Sequence, residues 1–344
     1  EASKGYIGLI MGLHSGVMVA LTWLLRNKID TLHKQRYILW AAWASILVYL
    51  AYFFWGNIYT IPFFRVLQGI IGTIGFSFGG ALVLDIIPSD KKTGYIALFG
   101  LSGALTNSIA PYLSEFISGQ FGFRYMFLAA VFFSLCWVFT ISRVRLSPPP
   151  PHTSDSSDAG IKNYFYEFPI AVFFGAICSC FFSFISHYAE ELKLFPVTLF
   201  FLVYSPTIML LRFSFFSRLD RWNIHKLVLI SFIFAFVGLA GAFLLSFYPS
   251  LLLVVGIGVL YGVAHGFLYP GINTLFVDKT PKRRGKATLI FILGYNLGYT
   301  LAAWIFGFIA ESAGYGAMYL ASALFCGLVC LTYLGNPRII SRLR

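Results

Sequence analysis

Stretches of about 20 apolar residues recur along this chain from end to end, and a helix of that length rises about 30 Å, the thickness of a bilayer's hydrocarbon core. Eleven such spans are read, at 6–25, 37–57, 61–84, 95–118, 124–143, 168–188, 195–216, 225–247, 251–277, 288–311 and 315–335. Inside hydrocarbon each backbone amide must bond within its own segment, so these spans predict helices. Their glycines and prolines are tolerated because neighbouring helices satisfy the freed groups. Sustained period-two alternation is missing, which argues against a transmembrane β-barrel. Composition agrees, with 58% hydrophobic and 11% charged residues against about 25% charged in soluble domains. The expected class is an all-α polytopic membrane protein with eleven transmembrane helices in this sequence.

A formal charge of +12 would suggest nucleic acid as partner of a soluble protein. Here its placement speaks of topology. Of 25 lysines and arginines, twenty fall after the first, third, fifth, seventh, ninth and last spans, in clusters such as Arg26, Lys28, Lys34 and Arg36, or Lys279, Lys282, Arg283, Arg284 and Lys286. Only Lys4, Arg124 and Lys193 lie in the alternate loops. Cytoplasmic loops attract such an excess, so the basic loops and the carboxyl terminus are expected to face the cytoplasm of a cell membrane. The five cysteines all sit inside spans, and Cys178-Ser-Cys180 lacks a metal or redox spacing. No cofactor, metal or nucleotide loop is expected, and no enzyme motif is present.

One long polar segment, rich in proline and serine, divides the spans five and six. It predicts three parts: a helical bundle over 1–144, a cytoplasmic linker over 145–166, and a second bundle over 167–344. The bundles repeat each other at a shift of about 190 residues. Asp30 falls opposite Asp220; Gly69, Asp85 and Pro88 share the spacing of Gly262, Asp278 and Pro281; Gly122 falls opposite Gly314. Parallel repeats of this kind relate two six-span halves about an axis along the membrane normal. The first half here carries five spans, so the first of twelve helices is expected to lie ahead of residue 1.

"RNKIDTLHKQR" and "SRLDRWNIHK" resemble two copies of the loop signature of the major facilitator superfamily, the second keeping Asp220 and Arg221. Arg26 and His33 stand at the glycine positions of the first copy, Phe216 and Asn223 at those of the second. "RVLQG", Arg65 to Gly69, resembles the fourth-helix signature of that superfamily. Arg212 and the stretch that opens with Arg283-Arg284 are similar to a bacterial efflux branch, whereas Ala110-Pro111 stands where many drug antiporters carry Gly-Pro. The resemblance covers essentially the whole chain. It implies the major facilitator fold, two pseudo-symmetric bundles that rock about a midplane site. It also implies that the acid of the loop signature stabilises closure on the cytoplasmic side, which makes Asp30, Asp85, Arg212, Asp220, Arg221, Asp278 and Arg284 candidates for the cytoplasmic gate.

Candidates for substrate or proton handling come from polar residues inside apolar spans, where their cost marks them. Arg65 either faces an aqueous cavity, with Gln68 one turn on, or snorkels to the outer interface. His265 shares a helical face with Tyr261 and Tyr269 and either couples protons or sits neutral and hydrogen-bonded between helices. His14 is the first-half counterpart in character. Asn107, beside Pro111, and Asn296, between Gly294 and Gly298, either touch substrate or serve helix packing.

The expected function is a secondary transporter that moves a small organic solute by alternating access, with proton-coupled efflux as the leading form. Alternatives are a proton-symporting importer or uniporter, and a receptor on the same fold. The expected partners are a small-molecule substrate, protons and the lipid bilayer, with the protein acting as a monomer and without nucleic acid.

Overall fold

The computed structural model describes residues 3–25, 32–80, 82, 92–144, 161–219, 223–279 and 284–335; side chains are described throughout these except at 92–101, 104, 108, 161–162, 212, 215–219 and 284–285. Among the described residues the chain forms helices and no strand. They are α1 (Lys4–Leu25), α2 (Lys34–Trp55), α3 (Ile61–Thr73), α4 (Lys92–Phe121), α5 (Tyr125–Arg143), α6 (Glu167–Glu191), α7 (Leu199–Leu219), α8 (Ile224–Leu244), α9 (Leu251–Lys279) and α10 (Arg284–Leu334). Eight helical segments among the described residues are long and apolar enough to cross a bilayer. The protein is thus an all-α, multi-pass membrane protein.

Each helix follows an apolar run because the bilayer leaves the backbone no other way to bond. Prolines 111, 206 and 270 are carried inside α4, α7 and α9, and α3 passes into a π-turn over Ile74–Phe78. The two spans read separately at 288–311 and 315–335 are the two helical arms of α10, which meet at Gly314. That residue breaks the ladder by itself, with φ 86° and ψ 166°, so no connecting loop is needed. Gly122, its counterpart in the repeat, has φ 100° between α4 and α5. A side chain at either position would be strained, and only glycine reaches this region without cost.

In the second half α6 packs along α10, α7 and α8 pack on α9, and α8 also packs on α10. Their shared core is aromatic, with Phe174, Phe181, Phe184, Phe232, Phe276 and Phe291 fully buried. In the first half α1 packs on α3, and α2 on α3 and α5, around smaller clusters such as Val48, Tyr52 and Phe64. The largest contacts between the halves are α1 with α10 and α4 with α7. These pairs are mates under the repeat: α1 meets the arm of α10 that ends at Gly314, and α7 meets α4, which ends just before Gly122.

Glycine lets the backbones approach. A Cβ at Gly175 would lie 1.9 Å from the Tyr295 carbonyl oxygen, one at Gly298 1.6 Å from that of Val172, and one at Gly8 2.3 Å from that of Ala303. Close contact of this kind drives helix association where lipid removes the hydrophobic driving force. The outward faces carry Trp40, Trp43, Leu47, Trp55 and Phe308, all exposed, a surface fit for acyl chains and far larger than water tolerates.

Candidate functional site

α3 opens with Pro62 in its first turn, where a missing N–H costs nothing, and then presents Arg65 and Gln68 three residues apart on one face. Gly69 and Gly72 bring this face against α1. A Cβ at Gly69 would lie 2.7 Å from the His14 carbonyl oxygen, and one at Gly72 3.2 Å from His14 Cε1. Glycine spacing in one helix therefore seats the histidine of another.

The Arg65 guanidinium sits in this corner. Nη1 donates to Gln68 Oε1 at 3.3 Å, and Nη2 approaches Met11 Sδ at 3.7 Å. Tyr52 of α2 donates to the same Gln68 oxygen at 3.2 Å, its ring stacked on Phe127 with centroids 4.7 Å apart. Arg65 makes no ion pair with any described carboxylate. Its Nε is buried and has no partner, and neither has His14 Nδ1. The Arg65 guanidinium lies within electrostatic reach of His14, Tyr49 and Tyr52 and of Tyr299 on α10 in the second half. Tyr299 in turn bonds Ser183 of α6 at 3.0 Å. A cation and two open nitrogens of the first half thus lie in one polar region of the membrane spans, within electrostatic reach of a hydroxyl of the second half. Buried polar groups left open are costly, and a ligand with an anionic group would satisfy them.

His265 lies in the second half, where its Nδ1 bonds the Tyr204 hydroxyl of α7. Rings of Phe174, Phe182, Tyr261 and Tyr269 surround it at centroid distances of 5.1 to 6.4 Å. Tyr261, fully buried, donates to Cys178 Sγ at 2.9 Å and packs on Phe181 at 4.2 Å. The tyrosine stripe of α9 thus faces α6 and α7. Asn296 is buried; its carbonyl oxygen lies 2.8 Å from Thr300 Oγ1, which is 2.9 Å from Ser15 Oγ on α1. Asn107 is exposed on α4. The structure thus brings together Arg65, Gln68 and His14, and separately His265, Tyr261 and Tyr269, while Asn107 and Asn296 belong to neither group.

Of the expected cytoplasmic gate, Asp30, Asp85, Asp220 and Arg221 lie outside the described residues, and Arg212 and Arg284 are placed on α7 and α10 without described side chains. Asp278 is exposed at the end of α9. Its neighbour Lys279 bonds Glu167 Oε2 at 2.7 Å and the Asn163 carbonyl at 3.1 Å, tying α9 to the start of α6. Sequence reasoning passed over Met11, Tyr49, Tyr52, Ser183 and Tyr299. Ser183 and Tyr299 carried the same intramembrane polar signal as Asn296, but nothing in the chain pairs residues 116 positions apart. A cavity of about 1030 Å³ between α6 and the two arms of α10 contains none of the candidates; its wall is apolar except near Glu167, His225 and Lys279. Among the described residues no group of His, Cys, Asp and Glu is arranged to hold a metal.

The sequence profile of the Major Facilitator Superfamily matches residues 1–283 and 168–342. A staphylopine export protein of Staphylococcus aureus is 23% identical over 299 residues, covering 78% of this chain and 71% of that protein. An uncharacterized transporter of the same superfamily type from Methanocaldococcus jannaschii is 22% identical over 290 residues, covering 80% and 74%. Among solved structures, a POT family transporter in complex with a thioalcohol-conjugated peptide superposes with a TM-score of 0.77 at 13% identity, covering 97% of this chain and 88% of that one.

Proposed function

The chain belongs to the major facilitator superfamily, and from that premise we propose that this secondary transporter exports a small organic solute with an anionic group in exchange for protons. The observation that carries the reading is Arg65. An arginine in a membrane span costs about 2.5–3.5 kcal/mol on insertion scales, and here no described carboxylate offsets it. A substrate anion would offset it, bridging Arg65 and His14 of one half to Tyr299 of the other. Such a ligand contacts both bundles, so its binding favours the arrangement in which they close around it. Ligands shift an equilibrium only through differential contacts of this kind.

The similarity to a staphylopine export protein supports the outward direction, and His14 beside Arg65 supports coupling to protons. His265 and its tyrosines, hydrogen-bonded within the second bundle, would hold α9 in register with α6 and α7 while the bundles move. On the same reading residues 1–144 and 167–344 are the two rocking bundles, the linker and carboxyl terminus lie in the cytoplasm of a cell membrane, and the protein works as a monomer.

Inside-out vesicles with an acidified lumen test this reading. Adding a library of organic anions is expected to release lumenal protons for at least one compound, followed with a pH-sensitive dye, and Arg65→Ala is expected to abolish that release. Solute preloaded in the lumen that leaves only together with protons would make the protein an importer, and flux without a gradient a uniporter.

A further inference from the structure

At the ends of the helices opposite the basic loops, two glutamates reach from one half to the other. Glu115, near the end of α4, accepts from the backbone N–H of Val197 at 2.9 Å with one oxygen and of Thr198 at 3.1 Å with the other, and contacts the Thr198 hydroxyl. These donors immediately precede α7. Glu311, near the bend of α10, accepts from the N–H of Gly5 at 3.0 Å, in the first turn of α1. Both carboxylates therefore satisfy donors that a helix start leaves open, and both sit at the positive end of a helix dipole.

The two contacts are mates under the repeat. Each glutamate lies ahead of a positive-φ glycine, Gly122 or Gly314, and each caps a helix of the opposite half, α7 or α1. Counted back from those glycines the two differ by one helical turn, which leaves them on the same face of their helices. Lys4 strengthens one of the two contacts through an ion pair with Glu191 of α6 at 2.6 Å.

We propose that Glu115 and Glu311 form a paired latch that holds the two halves together on the face opposite the basic loops, and that both caps must release before the halves part on that side. The latch rests on the transporter reading above, in which the halves rock. A cap made by a residue of the same half would move with its helix and leave the rocking unaffected. These caps cross the boundary, so parting the helices breaks them. The exposed position of Glu311 lets water take over the Gly5 donor once the halves separate, which keeps the latch reversible.

The test reads conformation without substrate. Ser15 is buried between α1 and α10, and a Ser15→Cys variant of the full chain in expressing cells is treated from outside with a membrane-impermeant thiol reagent, the same chain without that substitution serving as background. Labelling is expected to be slow in the latched protein and to rise about tenfold in Glu115→Ala/Glu311→Ala, with each single variant between them. Glu→Gln variants, which keep an accepting oxygen but lose the charge, are expected to label more slowly than the alanines. As a second arm, Glu115→Cys/Thr198→Cys joined by a short bifunctional thiol reagent is expected to suppress the labelling and to stop transport until the link is cleaved. Unchanged labelling in the double alanine variant with its helical content and melting intact overturns the latch, as does full transport by the cross-linked protein. Faster labelling without substrate flux in any vesicle assay leaves the latch standing and removes the transporter reading instead.

Discussion

Arg65 lies within a span while its Nε finds no partner and no described carboxylate approaches. A residue held against its own solvation free energy is expected to destabilise the resting protein and to serve the ligand. Arg65→Ala should therefore do two opposite things. The purified protein is expected to gain about 1–3 kcal/mol in stability, read as a higher melting temperature in detergent. Affinity for an anionic substrate is expected to fall by about 2–5 kcal/mol, read as a loss of binding of thirtyfold or more. A loss of stability alongside the loss of binding would show that the arginine is structural. Tyr261→Phe supplies the contrast, because its hydroxyl only bonds Cys178 within the second bundle: a cost of about 1 kcal/mol in stability with transport retained. Arg65, Gln68 and His14 were legible as lone polar residues in apolar runs. Tyr52, Met11 and Tyr299, which complete their surroundings, were not, since which helix faces turn toward each other is decided by packing far along the chain.

Among the elements, α6 and α10 show what sets helix spacing. Gly175 and Gly298 place backbone directly against backbone, and a methyl group at Gly298 would fall 1.6 Å from the Val172 oxygen. Gly298→Ala is expected to force the pair apart and cost about 3 kcal/mol or more, seen as a lower melting temperature and loss of transport. Gly256→Ala in α9, where nothing lies within 4 Å of the added methyl, is expected to be neutral or to stabilise by up to about 1 kcal/mol. The glycines are alike in the sequence, and only the neighbour each one meets separates them. Gly294 and Gly298 did signal close packing by their spacing, but the partner, α6, became known from the structure. The two spans either side of Gly314 were legible as separate apolar runs, but that a single positive-φ residue joins them became known from the structure.

For the whole molecule, the asymmetry of the basic loops predicts orientation. In intact cells a cysteine placed at Lys193 is expected to react with a membrane-impermeant thiol reagent, whereas one at Lys282 reacts only after permeabilisation; the reverse pattern would invert the topology and with it the side on which the glutamate latch acts. Span positions, loop charge and the internal repeat were open to reading because hydrophobic length and the positive-inside bias act on each segment locally, through lipid and water that are the same for every chain. Hence the all-α membrane class and the superfamily followed from residues alone. The contacts around Arg65, the enclosure of His265 by the second bundle and the exchange of helix caps by Glu115 and Glu311 did not. Each depends on the relative rotation and depth of helices that lie roughly 50 to 300 residues apart, and such contacts are settled by how side chains interlock once the bundles have met.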